Sequence, residues 1–140
     1  MITLAYAGFL TLMGLYLAYR TGTKRLSTNN LLGHGDSQEL LQASRVHGNF
    51  TEYTPFFLIL LAALEYSGQV PAIALYVLGD TYCLARIAHA YGLTKNAESS
   101  PPRFYGIIFT WLVLAIQSFW AFWIWGKWAI ANCWGVDWCN

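Results

Sequence analysis

Residues 45–55 read Arg-Val-His-Gly-Asn-Phe-Thr-Glu-Tyr-Thr-Pro, and the almost unbroken apolar run Phe56–Leu64 follows them directly. This stretch places ionisable and amide side chains at the start of a segment that is otherwise suited to lipid. Ionisable residues at membrane depth are energetically costly, and they therefore usually mark a functional site. Whether this stretch forms such a site depends on the polar residues that the other segments of the chain bring close to these groups.

The composition of the chain is that of a membrane protein with one domain, residues 1–140. Hydrophobic residues make up 56% of the 140 residues and charged residues 11%, whereas a soluble domain has about 25% charged residues. The formal net charge is +1, and no basic patch is interleaved with aromatic residues. The sequence therefore gives no sign of a nucleic-acid partner.

The three cysteines do not have the spacing of a zinc site, which needs a CxxC-type pair with a second pair or with histidines. No metal is therefore expected. Cys83 lies inside an apolar segment and is expected to pack there. Cys133 and Cys139 lie in the C-terminal tail and can form a disulfide only if this tail faces an oxidising compartment.

Four apolar segments predict four membrane-spanning helices, at about residues 2–19, 50–67, 71–93 and 104–125. The first is uncharged and long enough for the hydrocarbon core, which takes about 20 residues of helix. The second helix is expected to begin earlier, because Ser37 is a good N-cap, and Pro55 predicts a kink within it. Ser100, followed by Pro101 and Pro102, predicts the start of the fourth helix.

The lysines and arginines predict the orientation. The first loop, predicted at residues 20–36, holds three of them, and the loop before the fourth span contributes Lys95 and Arg103. By the positive-inside rule both loops are cytoplasmic and both termini are external. Lys127 alone opposes this orientation. The tryptophans cluster late in the chain and predict an aromatic belt at the outer end of the fourth helix.

One face of the second helix carries its polar residues in register. Arg45, Asn49 and Glu52 are spaced i, i+4 and i+7, which places them on one stripe of an α-helix near its cytoplasmic end. His47 points to the opposite face from Glu52. A single subunit is therefore not expected to use both side chains in one pocket, whereas a site between subunits can use both.

The third and fourth helices bring further polar residues to the same depth, namely Arg86, His89 and Arg103. These groups can form buried ion pairs that hold the helices together, with Glu52 paired to Arg86 or to Arg45. Three arginines against one glutamate leave two positive charges uncompensated. This excess favours an anionic ligand that has carboxylates, with an amine for Glu52.

Arg103 is predicted to lie at a helix amino terminus, where N–H groups and the macrodipole favour negative charge. A thiol beside a guanidinium at such a position has a lowered pKa and becomes a reactive thiolate. This arrangement activates a nucleophile without a general base.

Two blocks of sequence resemble the MAPEG family, the membrane-associated proteins in eicosanoid and glutathione metabolism. The first is Arg-Val-His-Gly-Asn-Phe-Thr-Glu at residues 45–52, followed by Pro55 and an apolar stretch. The second is Arg-Ile-Ala-His-Ala-Tyr at residues 86–91, which is similar to the Arg-x-x-His motif on the third helix of the family. The number of spans and their orientation agree over essentially the whole chain, which looks closest to the short bacterial members.

The resemblance implies an all-α fold, an integral membrane four-helix bundle that assembles as a homotrimer in the bacterial inner membrane. Glutathione would be the co-substrate and would bind between subunits near the cytoplasmic face. Arg103 matches the arginine that stabilises the thiolate. The predicted glutathione-binding residues are Arg45, His47, Asn49, Glu52, Arg86, His89 and Tyr91.

Three functions are compatible with these residues. The leading one is a glutathione transferase or peroxidase in which the thiolate attacks hydrophobic electrophiles that enter from the bilayer. The second is a non-catalytic protein that binds lipids or presents them to a partner, since the family includes a lipoxygenase-activating protein. The third is a b-type haem protein with His47 and His89 as axial ligands, which the helical phases within one subunit disfavour.

Overall fold

A computed structural model of the chain describes residues 1–95 and 99–133, with side chains to residue 132. These residues form four helices and no strand, and the predicted all-α fold is confirmed. The question of a disulfide between Cys133 and Cys139 falls on residue 139, which lies outside the described residues. The helices are α1 (Ile2–Ser27), α2 (Gln38–Tyr66), α3 (Ala72–Lys95) and α4 (Pro101–Cys133).

The helix ends follow local chemistry that is partly readable in the sequence. The Ser37 hydroxyl accepts a hydrogen bond from the Leu40 N–H at 3.2 Å and caps α2, as expected. The prediction of a loop from residue 20 is wrong for residues 20–27, which continue α1. Four of these eight residues are good helix formers, and the cations Lys24 and Arg25 lie in the last turn, where the helix dipole favours them.

The helices alternate in direction and share two ends. Gln42 of α2 donates to the Leu93 carbonyl of α3 at 2.7 Å, and Arg20 of α1 donates to the Thr94 hydroxyl at 3.1 Å. We call this end, where α1 and α3 finish and α2 and α4 begin, the polar end. At the opposite end the amino-terminal ammonium forms an ion pair with Glu65 at 2.9 Å.

The packing order leaves the first and last helices apart. Within the described residues α3 packs against α4, α1 packs against α2, and α2 touches both α3 and α4. α1 also meets α3, but it does not contact α4. Therefore α1 and α4 flank the α2–α3 pair on opposite sides.

The molecule has an apolar core and also an apolar surface. Phe57 of α2 stacks on Tyr82 of α3 with ring centroids 3.8 Å apart. At the surface large aliphatic side chains such as Leu12, Ile59 and Ile73 are 66–69% exposed. Soluble monomers rarely expose continuous apolar surface of this kind. α1 and α4 are long and apolar enough to cross a membrane, judged by length and composition.

Gln117 of α4 is fully buried, and neither atom of its amide has a hydrogen-bond partner among the described residues. An unpartnered buried polar group costs about 1–3 kcal/mol. Gln117→Met keeps the volume and removes the amide, so we expect it to stabilise the protein by about 1–2 kcal/mol in thermal unfolding in detergent.

Gln42→Met is the matched control for this prediction, because its amide is bonded to the Leu93 carbonyl at 2.7 Å. It should be destabilising, since the carbonyl loses its partner. A loss of stability in Gln117→Met as large as that in Gln42→Met would contradict the assignment of Gln117 as unpartnered.

Candidate functional site

A cavity of about 490 Å³ opens at the polar end between α2, α3 and α4. This volume lies in the range of small-molecule sites. No aspartate or glutamate is among the described residues that line it. The lining residues are Gln38, Leu41, Gln42, Arg45, Asn49, Tyr53, His89, Leu93, Ser99, Arg103, Phe104, Ile107 and Trp111.

The α2 wall of the cavity is one stripe of the helix. Arg45, Asn49 and Tyr53 follow one another at intervals of four residues and therefore project from one face. Tyr53 was missed in the sequence, although it continues the stripe of Arg45 and Asn49 by one more turn. The wall thus presents a guanidinium, an amide and an aromatic ring in succession from the polar end inward.

Arg86 of α3 lies behind this wall and is completely buried. Its Nη2 donates to the Asn49 Oδ1 at 2.7 Å, and its Nη1 donates to the Thr110 hydroxyl at 3.3 Å. The guanidinium carbon is 5.9 Å from the centroid of the Phe50 ring and 5.8 Å from that of Tyr53. Arg86 therefore fixes Asn49 from behind, and the Asn49 NH₂ group remains for a ligand.

The ion pairs considered for Glu52 are not formed. Among the described residues the salt bridges are those of the amino terminus with Glu65 and of Lys24 with Glu39. Glu52 is exposed and outside the cavity. The buried Arg86 guanidinium is therefore held by the neutral acceptors Asn49 and Thr110 and not by Glu52.

His89 connects α3 to the first turn of α4. Its Nδ1 lies 3.0 Å from the Arg103 carbonyl oxygen. Since a carbonyl only accepts, Nδ1 carries the proton, and in the neutral ring Nε2 is an acceptor. His89 lines the cavity beside Arg103 and holds the backbone from which the Arg103 guanidinium extends.

Two glycines allow α3 and α4 to approach closely at this point. A Cβ atom on Gly92 would lie 2.5 Å from the Arg103 nitrogen, and one on Gly106 would lie 2.7 Å from the His89 nitrogen. Real Cβ atoms do not approach other atoms this closely. The position of Arg103 relative to His89 therefore depends on both glycines, a role that the sequence pattern does not reveal.

The α4 amino terminus offers fewer N–H donors than a typical helix end. Pro101 and Pro102 have no N–H, and the Phe104 N–H is bonded to the Ser100 carbonyl at 2.9 Å. The stabilisation of an anion near Arg103 therefore depends more on the guanidinium than on the helix amino terminus. The sequence predicted that both would contribute.

The inner part of the cavity is apolar. Phe104, Ile107 and Trp111 recur at i, i+3 and i+7 and form one face of α4 within the cavity. None of the three was recognised as a site residue, although this periodicity starts directly after Arg103. The cavity therefore joins a cationic mouth to an apolar wall, an arrangement that fits a polar anionic molecule next to an apolar one.

Four of the predicted site residues do not line this cavity, and Arg86, behind its wall, is one of them. His47 is half-buried on a different face of α2 from Asn49, Glu52 is exposed, and Tyr91 is 53% exposed toward α1. His47 and His89 therefore do not face one common space within the subunit, as a bis-histidine haem would require. The structure brings Arg45, Asn49, His89 and Arg103 together and places Arg86 directly behind them.

Comparison with known proteins agrees with this architecture. The chain is 25% identical over 138 residues to the Inner membrane protein YecN of Escherichia coli K12, an alignment that covers 99% of this chain and 95% of that protein. The same values hold for the protein of that name from Escherichia coli O6:H1 strain CFT073.

The MAPEG family matches residues 3–123, which include α1–α3 and most of α4. The match contains both blocks of sequence on which the resemblance rests, and it confirms that resemblance. The chain belongs to the MAPEG family and is an integral membrane four-helix bundle.

Proposed function

We propose that this protein is a glutathione transferase or peroxidase of the bacterial inner membrane that acts on hydrophobic electrophiles. The observation that carries the proposal is the cavity at the polar end, which Arg45 and Arg103 line together with Asn49, the residue that Arg86 holds. Family membership supports the choice of glutathione, and the name of the Escherichia coli relative supports the choice of membrane.

Glutathione matches the cavity in charge and hydrogen bonding. It has two carboxylates, an amine, two amides and a thiol. Arg45 is assigned to a carboxylate, a pairing that guanidinium groups make with two parallel hydrogen bonds. The Asn49 NH₂ group, oriented by Arg86, donates to a second acceptor on the ligand. Glu52 takes the amine at the outer edge of the site.

A shared site between subunits explains the residues that face outward. Glu52 and His47 lie outside the cavity of one subunit, and α1 and α4 do not contact each other. In a homotrimer the open side of the cavity would face a neighbouring subunit. Glu52 would then be covered in the assembly, and His47 of one subunit would approach the glutathione of another.

The reaction assigned to this site is nucleophilic attack by the glutathione thiolate. The Arg103 guanidinium stabilises the negative sulfur, and His89 holds the Arg103 backbone. The electrophile lies on the apolar wall of Phe104, Ile107 and Trp111. The bond from sulfur to the electrophilic atom forms there, and the leaving group accepts the electron pair. Non-catalytic lipid binding is the alternative, because this wall alone fits an acyl chain.

Glutathione-dependent turnover separates the two functions. Purified protein in detergent should conjugate a chlorodinitrobenzene to glutathione in a saturable way, with a rate that depends on pH through the thiol. Saturable binding of a fatty acid, together with an absence of glutathione binding, would instead support the non-catalytic function.

Glu52→Ala is expected to raise the KM for glutathione about tenfold with little change in kcat, because the amine is bound equally in the ground and transition states. Kinetics at varied glutathione concentration measure this. Glu39→Ala is the matched control, since Glu39 lies on the same helix but pairs with Lys24 outside the cavity. Equal KM values for wild type and Glu52→Ala would remove Glu52 from the site.

The polar end is assigned to the cytoplasm, from the excess of lysine and arginine there. Cysteine labelling tests this in a background without the native cysteines. Leu32→Cys and Gln69→Cys place exposed thiols at the polar end and the opposite end. An impermeant maleimide added to intact cells should label only Gln69→Cys, and labelling of Leu32→Cys would contradict the orientation.

A further inference from the structure

A second cavity, of about 400 Å³, lies in the groove between α1 and α3. It shares no lining residue with the cavity at the polar end of α2, α3 and α4. None of the chemistry proposed above uses it. Tyr91, the α3 residue that does not reach the first cavity, lines this groove instead.

The mouth of the groove is cationic. Arg20 crosses it and donates from Nη1 to the Thr94 hydroxyl at 3.1 Å, its one hydrogen bond among the described residues. A guanidinium has five N–H donors, so most of those of Arg20 remain for a ligand. No carboxylate of the described residues lies within ion-pair distance of it.

Lys95 adds a second positive charge at the same edge. Its Nζ lies 4.9 Å from the centroid of the Tyr91 ring, which holds the ammonium beside the groove. The neighbouring Lys24 differs, because it is bonded to Glu39 and lowers the pKa of that carboxyl. Those two charges compensate each other, whereas Arg20 and Lys95 do not have a carboxylate partner in the described part of the chain.

Below the mouth the groove is apolar. Its floor and sides are formed by Met13 and Leu17 of α1 and by Ile87 and Ala90 of α3. The seven steps from Met13 to Arg20 correspond to about 10 Å along the helix axis. The groove runs parallel to the helices, which is the direction of lipid chains around a membrane bundle.

We propose that this groove is a binding site for a phospholipid with an anionic headgroup. The phosphate lies against Arg20 and Lys95, and one acyl chain follows the apolar groove past Ile87. A free phosphate would leave the apolar part unused. A zwitterionic lipid would bring its own ammonium close to Arg20 and Lys95, and these like charges would repel one another. The site is independent of glutathione and of the proposed reaction.

Native mass spectrometry of the full-length protein in detergent tests the proposal, with phosphatidylglycerol and phosphatidylcholine of identical chains as probes. Wild type should retain phosphatidylglycerol in preference. Arg20→Gln should reduce this retention about fivefold, the effect of one basic residue at a lipid surface. Lys24→Gln removes the same charge from the same helix outside the groove, and it should leave retention unchanged within about twofold.

A second variant tests the apolar part. Ile87 is 44% exposed, so Ile87→Trp fills the groove without disturbing the core and should also reduce retention. This variant decides the question if Arg20→Gln does not fold. Three results would overturn the proposal. These are equal retention of both lipids by wild type, equal losses of retention in Arg20→Gln and Lys24→Gln, and unchanged retention in Ile87→Trp. Displacement of the lipid by inorganic phosphate at similar concentration would assign the mouth to a free anion instead.

Discussion

Arg103→Ala is expected to lower the rate of glutathione conjugation about a hundredfold, since loss of one donor to a developing or bound anion costs about 2–4 kcal/mol. The thiolate loses its counter-charge, so the pH–rate profile should move to higher pH. The rate lost at neutral pH should partly return in alkaline buffer. Glutathione affinity should change little, because Arg45 and Asn49 remain to hold the peptide. Conjugation measured across pH at saturating glutathione provides the test.

The control for this variant is Arg103→Lys, which keeps the positive charge and the backbone carbonyl that accepts from His89. It should retain most of the shift in thiol pKa and a larger share of the rate than Arg103→Ala. If Arg103 served only as a cytoplasmic charge at a helix end, both variants would have the wild-type pH profile. That outcome would remove Arg103 from the mechanism.

Asn49→Leu is expected to destabilise the protein by about 2–3 kcal/mol, because the fully buried Arg86 guanidinium loses the acceptor at 2.7 Å. The remaining partner, the Thr110 hydroxyl at 3.3 Å, is a poorer acceptor. Thermal unfolding in detergent measures the change. Thr51→Val is the control on the same helix, since its exposed hydroxyl bonds only to carbonyls of its own helix.

A double-mutant cycle makes this prediction specific. Arg86→Met removes the buried charge, so Asn49→Leu combined with Arg86→Met should be more stable than Asn49→Leu alone. The two substitutions share one hydrogen bond, and their costs should therefore not add. Additive costs would show that the two side chains do not depend on each other. Both single variants should also lose glutathione affinity, since Asn49→Leu removes the amide and Arg86→Met no longer orients it.

The parts of the fold that follow from local rules were predictable from the sequence. The Ser37 cap and the start of α4 at Pro101 need only neighbouring residues. The spacing of Arg45 and Asn49 puts both on one face, and the alternation of helix direction brings Arg103 to the same end. These residues line one cavity in the structure.

Other features depend on packing across helices, which periodicity does not encode. The sequence offers Glu52 as the partner of Arg86, but the structure pairs Arg86 with Asn49 and leaves Glu52 exposed. The close approach of α3 to α4 depends on Gly92 and Gly106, and a glycine in an apolar helix has no pattern that shows what it touches. The contacts of outward-facing residues such as Glu52 and His47 would come from other subunits, and the spacing of residues within one chain does not describe them.

The central claim, that the cavity binds glutathione and holds its sulfur as the thiolate beside Arg103, is tested most directly by the far-ultraviolet absorbance of the thiolate. Glutathione is titrated into purified protein at neutral pH, and the difference spectrum is recorded. The expected result is a saturable thiolate signal in wild type that appears only at higher pH in Arg103→Ala. Glutathione that binds without a thiolate signal, or a signal that Arg103→Ala leaves unchanged, would contradict the claim.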